Sequence, residues 1–484
     1  MNGRSVELAI VGGGPAGLAA AVAAAGAGVE TLVLDLYARA GGQYYKLPPA
    51  SFAGEPGAAE REGLALAGAA RRAGAEVWSD ATVWGLYREG PFLLGVSSAG
   101  RSERLEARQV ILAAGAYERP APFPGWTLPG VMTAGAALAL LKGQRVLAGR
   151  RVLLAGSGPL QWAAGAYLVV AGAQVAALLE LRRPGALLGI WRRAGALLGQ
   201  GRRLREGWQY YRLLRAAGAP LRFGWTILRA EGRQAVEAAV IAKADAQGRP
   251  IAATEQRLAV DAICLGYGLL PATELAQQLD CAMDFEPSLG VFTPRRDAWM
   301  QTTVTGCYVA GDAAGINGKE AALLEGRLAG LGAALAAGRL TPAEAEATAR
   351  PLRSRLARER RFAALLADAF GPLPGLAALA DDDTVICRCE GATLGQVRQA
   401  IADGARNLAD IKAQTRAGMG RCGGRMCYTI IAATLAREVG LDPAEASRRS
   451  VRPPAFPVAL DELLDFPGSQ TIPYPPPPAG ASPI

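Results

Sequence analysis

Apolar and polar positions along the chain follow two periods, and each change of period marks an element. From Leu8, the run "LAIV" gives way to "GGGPAG", then to an alanine-rich stretch and a second apolar run, "TLVL", before Asp35. That order predicts strand, tight turn, helix, strand. It returns over residues 151–181, "RVLLAGSGPLQWAAGAYLVVAGAQVAALLEL", so the chain is expected to hold two βαβ units. "VILAAGAYERP" and "CYVAGDAAGINGKEAALLEGRLAG" read as further apolar strands, the second leading into a helix. Thr341, Pro342 and Glu344 predict a capped helix that continues through the basic, amphipathic "ARPLRSRLARERRFAALLADAF". Its expected role is packing on the domain built around the first βαβ unit, with peripheral contact to an acidic membrane surface as the other reading. After the acidic run Asp381, Asp382 and Asp383, a capping box is predicted at Thr393 and Gln396. Asn407 and Asp410 mark another helix start, and Cys427 opens a helix through "YTIIAATLAREVG".

The first βαβ unit carries a phosphate-binding pattern. Gly12, Gly14 and Gly17 satisfy G-x-G-x-x-G, with Pro15 and Ala16 opening the helix. The first glycine permits the turn, the second admits a pyrophosphate to the backbone, and the third lets helix and strand pack closely. The helix N-terminus then offers free N–H groups to phosphate. Asp35 stands where an acid accepts hydrogen bonds from ribose hydroxyls. Gly42 and Gln43 follow soon after, Ala114 and Gly115 end one later strand, and Gly311 and Asp312 end another.

Together these segments resemble the flavoproteins with two dinucleotide-binding domains, the class that includes pyridine nucleotide-disulfide reductases. The resemblance implies FAD, with Asp35 on the adenosine ribose and Asp312 near the ribityl chain. Class relatives that reduce disulfides use a C-x-x-C pair, which this chain lacks. In the second unit Gly156 and Gly158 occupy the first two glycine positions, but Gln161 stands at the third and Glu180 supplies the acid. Its βαβ fold is expected; whether it binds a nucleotide is left open.

Seven cysteines and no histidine narrow the remaining chemistry. Cys387 and Cys389 form a C-x-C pair, and Cys422 and Cys427 a C-x4-C pair. Four soft thiolates suit an iron–sulfur cluster or a tetrahedral zinc. Gly418, Gly420, Gly423 and Gly424 let the backbone wrap beside the last two, while Arg388, Arg416, Arg421 and Arg425 would raise a cluster's potential. Cys264, Cys281 and Cys307 are isolated in apolar, strand-like contexts and read as core residues. The thiols fit a reducing compartment, and a cytoplasmic location is expected, with peripheral placement at the cytoplasmic membrane face also compatible.

The cysteine spacing resembles the bacterioferritin-associated-ferredoxin-like [2Fe-2S] domain. The module order, with "PFPGWTLPGVMTAGAALALLKGQRVLAGRRVLLAGSGPLQ" between the nucleotide folds, is similar to the A (alpha) subunits of heteromeric opine oxidases. The B subunit of hydrogen cyanide synthase and alpha subunits of hydroxyproline-type dehydrogenases look alike too. The resemblance implies an electron-transfer flavoprotein holding FAD and [2Fe-2S]. An amino-acid-oxidase-like flavoprotein beta subunit would oxidise the C–N bond, and electrons would pass on to a respiratory acceptor. FMN at a subunit interface and a small third ferredoxin-like subunit belong to the same family picture. The other reading is a self-sufficient NAD(P)H-dependent flavin reductase using the Gly156 fold.

The expected fold class is therefore α/β: two Rossmann-like dinucleotide-binding domains plus a small helical [2Fe-2S] domain. Residues 1–125 and 260–338 are read as one discontinuous FAD domain, with 126–259 inserted as the NAD-like fold. A helical connector spans 339–380, the cluster domain 381–442, and an extended proline-rich tail 443–484. Hydrophobic residues at 51% with aromatics at 6% agree with packed α/β layers. The longest apolar run, 163–179, is broken by Gly172 and reads as a buried helix plus a strand rather than a membrane span. The net charge of +9 gathers partly in 182–215, where Arg192, Arg193, Arg202, Arg203, Arg205 and Arg212 interleave with Trp191, Trp208, Tyr210 and Tyr211. No nucleic-acid motif accompanies that charge, so a solvated helix pair or a subunit interface is expected there instead.

Overall fold

The computed structural model describes residues 4–52, 55–187 and 195–464. Arg192, Arg193, Trp191 and the last part of the proline-rich tail lie outside the described residues.

The first sheet is built on β1 (Arg4–Val11), followed by α1 (Pro15–Gly26) and β2 (Thr31–Leu34). Every residue of β2 is buried, as expected for a parallel strand covered on both faces. Four further strands, β3 (Glu76–Trp78), β4 (Ala81–Arg88), β5 (Phe92–Ser98) and β6 (Arg101–Leu112), give the order β3-β2-β1-β6-β5-β4. β3, β2, β1 and β6 run parallel, while β4, β5 and β6 form an antiparallel meander. The late strand Cys307–Val309 returns to pair in parallel with the end of β6. Residues far apart in sequence thus meet at one sheet edge.

Helix Lys319–Ala336 then lies along α1. A Cβ placed on Gly326 would sit 2.0 Å from the Ala16 carbonyl oxygen, and one on Gly330 2.4 Å from that of Ala20. Only glycine allows that approach, so the two helices touch backbone to backbone. The long helix Pro342–Phe370, capped by Thr341 and Glu344, covers this pair with Ala349 and Leu356.

A second, wholly parallel sheet holds Leu221–Phe223, Gln174–Glu180, Arg151–Gly156, Ala262–Gly266 and Val131–Thr133 in that order, so the inserted fold runs past the expected boundary at residue 259 to take in Ala262–Gly266. An antiparallel meander of Trp225–Glu231, Ala238–Lys243 and Gln256–Ala259 accompanies it. The run 163–179 divides between helix Pro159–Val170 and strand Gln174–Glu180. Among the described residues, no helix is long and apolar enough to cross a membrane. The segments joining the two sheets pair with each other: Ala116–Glu118 lies antiparallel to Leu269–Pro271, with Tyr117 opposite Leu270.

The third core is helical, made by Leu394–Ala402, Leu408–Thr415 and Tyr428–Val439 around Ile386, Val397, Ile411, Ile431 and Leu435. Thr393 and Asn407 cap the first two helices through their side chains. Trp126 anchors this unit by donating its indole N–H to the Val385 carbonyl at 2.5 Å. Residues beyond 442 differ from a simply extended tail. Helix Pro443–Ala446 starts on an Asp442 cap, and Phe456 packs on the first sheet's core beside Ala455, whose N–H donates to the Trp84 carbonyl.

Candidate functional site

The first candidate site forms around the N-terminus of α1. Gly12 takes φ +106°, and a Cβ there would lie 2.4 Å from the Ala113 carbonyl oxygen. One on Gly17 would lie 1.8 Å from the Gly12 carbonyl, so both positions exclude every larger residue. The loop bearing Gly42 comes back over the same turn, with a Gly42 Cβ position 2.9 Å from the Gly14 Cα. On the other side, a Cβ on Gly311 would meet the Ala16 side chain at 2.8 Å. Ala114 and Gly115 continue directly from the Ala113 carbonyl that Gly12 rests on. Sequence positions spread over three hundred residues are thus drawn to one helix end, with Pro15 at its first turn.

Asp35 is 3% exposed and lies behind Gly13, accepting from the Tyr37 backbone N–H through Oδ1 at 3.2 Å. Its Oδ2 is buried with no hydrogen-bond partner. Burial pushes its carboxyl up to about 6, against the pull of the Tyr37 N–H and of Lys46. An orphaned carboxylate oxygen beside a glycine turn fits a ligand carrying hydroxyl donors. Asp312 is likewise pushed up to about 6 by burial, while the N–H groups of Gly318 and Asn317 work in the opposite direction. Gln43 is exposed and donates its amide to the Tyr37 hydroxyl.

Glu325, on the helix behind Asp312, escaped the sequence reading. It is fully buried and accepts from the Gly311 N–H at 3.0 Å, from Arg296 at 2.7 and 3.0 Å, and from Arg360 at 2.9 Å. This carboxylate fixes the Gly311 turn, which holds φ +72°.

The second glycine turn is differently furnished. The Gln161 side chain is 0% exposed, and its amide donates to Glu180 Oε2 at 3.1 Å. The same oxygen accepts from the Gly158 N–H at 3.0 Å, so the acid serves the turn itself. Phe370 lies over this turn, with its Cβ 3.2 Å from where a Gly158 Cβ would stand, and Arg182 secures the neighbouring Gly371 carbonyl at 2.8 Å.

The four paired-motif cysteines come together. Cys387 and Cys427 are buried, Cys422 is half-buried and Cys389 is exposed. The Cys389 and Cys422 thiols interact directly, as do those of Cys427 and Cys387, and Cys427 also feels Cys422 and Cys389. A Cβ on Gly420 would fall 2.0 Å from the Cys389 Cβ, so the C-x-C turn fits into the glycine loop only because position 420 is bare. Burial, then the neighbouring thiols, push the Cys427 thiol far up. The thiols stand in two direct pairs beside one another, and soft thiolates of this kind suit iron.

Of the arginines expected to act on this group, Arg416 pairs with Glu390 at 2.9 Å, Arg388 lies over Trp126, and Arg425 donates to the Cys422 carbonyl at 3.1 Å. Cys264 is buried in the second sheet, with its thiol pushed up to about 12 by burial. Cys281 and Cys307, isolated in sequence, interact with each other in the core.

The family model described as pyridine nucleotide-disulphide oxidoreductase matches residues 6–338. A second model, the BFD-like [2Fe-2S] binding domain, matches 385–437 and contains all four clustered cysteines. The A subunit of opine oxidase from Agrobacterium tumefaciens (strain Ach5) is 34% identical, covering 95% of this chain and 92% of that protein. Hydrogen cyanide synthase subunit HcnB of Pseudomonas aeruginosa is also 34% identical, over 91% of this chain and 94% of the relative. Among solved structures, L-proline dehydrogenase from P. horikoshii shares the fold with a TM-score of 0.70 at 22% identity, covering 95% of this chain and 80% of that one. The chain therefore belongs to the pyridine nucleotide-disulphide oxidoreductase family and, within it, to the group formed by the A subunit of opine oxidase and hydrogen cyanide synthase subunit HcnB, with a [2Fe-2S] binding domain in its C-terminal part.

Proposed function

We propose that this chain is the FAD- and [2Fe-2S]-carrying subunit of a heteromeric dehydrogenase or oxidase acting on CH–NH donors. The observation that carries the reading is the packing of Tyr428, which directly follows Cys427, with Tyr117 of the strand Ala116–Glu118, which continues from the first glycine site. Bound flavin supplies two-electron acceptance and the cluster single-electron transfer. Gly12, Gly14, Pro15, Ala16, Gly17 and Gly42 would cradle the pyrophosphate, Asp35 the adenosine ribose, and Gln43, Ala114, Gly115, Gly311 and Asp312 the flavin end. Cys387, Cys389, Cys422 and Cys427 would hold the cluster. Names of the relatives, each a lettered subunit, support partner chains; in this proposal a partner oxidises the amine and electrons leave this chain for a respiratory acceptor. FMN at the subunit boundary belongs to the same proposal.

Ionised Asp35 is the form that accepts from ribose hydroxyls. Since its carboxyl titrates at about 6, flavin affinity should fall as pH drops through that value, by up to about tenfold per pH unit. Asp35→Asn should make this profile shallower. Quenching of added flavin fluorescence, measured on the apoprotein from pH 5 to about 8, checks both.

Against a self-sufficient NAD(P)H-dependent reductase stand the buried Gln161 at the third glycine position and Phe370 over Gly158. NADH and NADPH should leave the flavin of the isolated chain oxidised, whereas an opine or amino-acid donor should bleach it in the assembled complex. Rapid bleaching by NADH in a stopped-flow spectrometer would reverse this assignment.

A further inference from the structure

At the junction between the cluster loop and the first nucleotide domain, the chain buries more positive than negative charge. Arg425 and Arg449 both reach Glu274 Oε1, at 3.1 and 3.2 Å, and all three side chains are buried or nearly so. Arg119 adds a third guanidinium, 8% exposed, which donates to the Leu289 carbonyl while its Nε finds no partner. Two arginines thus share one carboxylate, while the third donates to a backbone carbonyl.

Two tyrosines stand among them. Tyr428 directly follows Cys427, and Tyr117 lies in the strand directly after Gly115 and Ala116. Arg449 stacks on the Tyr428 ring at 4.2 Å, and Arg425 lies 5.9 Å from the Tyr117 ring. The tyrosines interact with each other and with Arg119 and Arg449, yet the buried Tyr117 hydroxyl has no partner within hydrogen-bond length. A buried cationic excess with unsatisfied donors implies a negative group close by. Four thiolates and two sulfides around two ferric irons make such a group, and its negative charge grows by one on reduction.

We propose that Arg119, Arg425 and Arg449, with the Tyr117–Tyr428 contact, form the junction across which single electrons pass from flavin to cluster, the arginines favouring the reduced cluster. This rests on the cofactor reading above. In each passage the flavin is oxidised by one electron and one ferric iron becomes ferrous. No bond to the protein forms or breaks, and the tyrosines finish in the redox state in which they began. All five are positioning residues.

Redox titration of the purified complex, followed by EPR of the reduced cluster, tests the arginines. Arg449→Gln should shift the reduction equilibrium about tenfold against the reduced form, a midpoint about 59 mV lower for a one-electron couple. Arg449→Lys should hold the wild-type midpoint. Arg119→Gln, which breaks no ion pair, should shift it the same way and serves if Arg449→Gln disturbs folding. In stopped-flow work, Tyr428→Leu should slow flavin-to-cluster transfer several-fold, and Tyr428→Phe should restore it. Wild-type midpoints in both glutamine variants, or a wild-type rate in Tyr428→Leu, overturn the proposal while a wild-type cluster signal leaves the cofactor reading standing. No cluster signal in the wild-type complex overturns both.

Discussion

Replacing Cys422 by serine should remove the visible absorption of the iron–sulfur centre and abolish acceptor reduction by the assembled complex, while flavin stays bound. A serine hydroxyl is a harder, far less acidic donor than a thiol and does not replace a thiolate on iron. The position suits the test because Cys422 is half-buried on a glycine-rich loop, so the change leaves the helical core of Ile386, Val397 and Leu435 untouched. Cys264→Ser is the matching control: that cysteine is buried in the second sheet, outside the helical unit that bears the clustered thiols, and its change should leave iron content intact. Iron and acid-labile sulfide assays with a visible spectrum decide the matter. Undiminished acceptor reduction by Cys422→Ser would refute the cluster's place in electron transfer.

The second large effect is expected at Glu325. Glu325→Ala should destabilise the flavin domain by about 3–5 kcal/mol, the range for removing one partner from a buried ion pair. It would strand Arg296, whose side chain is only 11% exposed, and would deprive the Gly311 N–H of its acceptor. Because Gly311 precedes Asp312 and rests on Ala16, the damage should reach the flavin site as well as the fold. Glu325→Gln keeps an oxygen for Gly311 and should lose less. Thermal release of flavin, followed by fluorescence, ranks the variants; equal release temperatures for Glu325→Ala and wild type would contradict the role assigned to this carboxylate.

Much of the architecture was legible because it is written in local periodicity and in residues with a single physical use. The strand–glycine–helix order over Arg4–Val11 and Pro15–Gly26, the caps at Thr341, Thr393 and Asn407, and the helix opening at Cys427 each rest on a few neighbouring positions. Glu325 was not legible, since within "LLEGRLAG" it reads as one more solvated helical charge; its partners Arg296 and Arg360 lie elsewhere in the sequence. Phe370 looks like an ordinary helix end until the fold lays it over Gly158. Arg449 lies in what composition marks as tail, and only the return of that segment to Glu274 and Tyr428 gives it a place. The arginines near the thiols were countable in the sequence, but their acidic partners were not: Arg416 is matched by Glu390 through a contact no spacing rule announces.

One element has a mechanical meaning. Where the chain leaves the first sheet at Ala116–Glu118 and returns at Leu269–Pro271, the outgoing and incoming strands are laced together. Further bonds run from the Arg119 N–H to the Gly268 carbonyl at 2.9 Å and from the Ala272 N–H to Gly115 at 3.0 Å. Two single-stranded crossings would make a swivel; laced, they make a brace. Neither crossing can move alone without breaking this ladder, so any swing of the inserted lobe must carry both strands together as one ribbon.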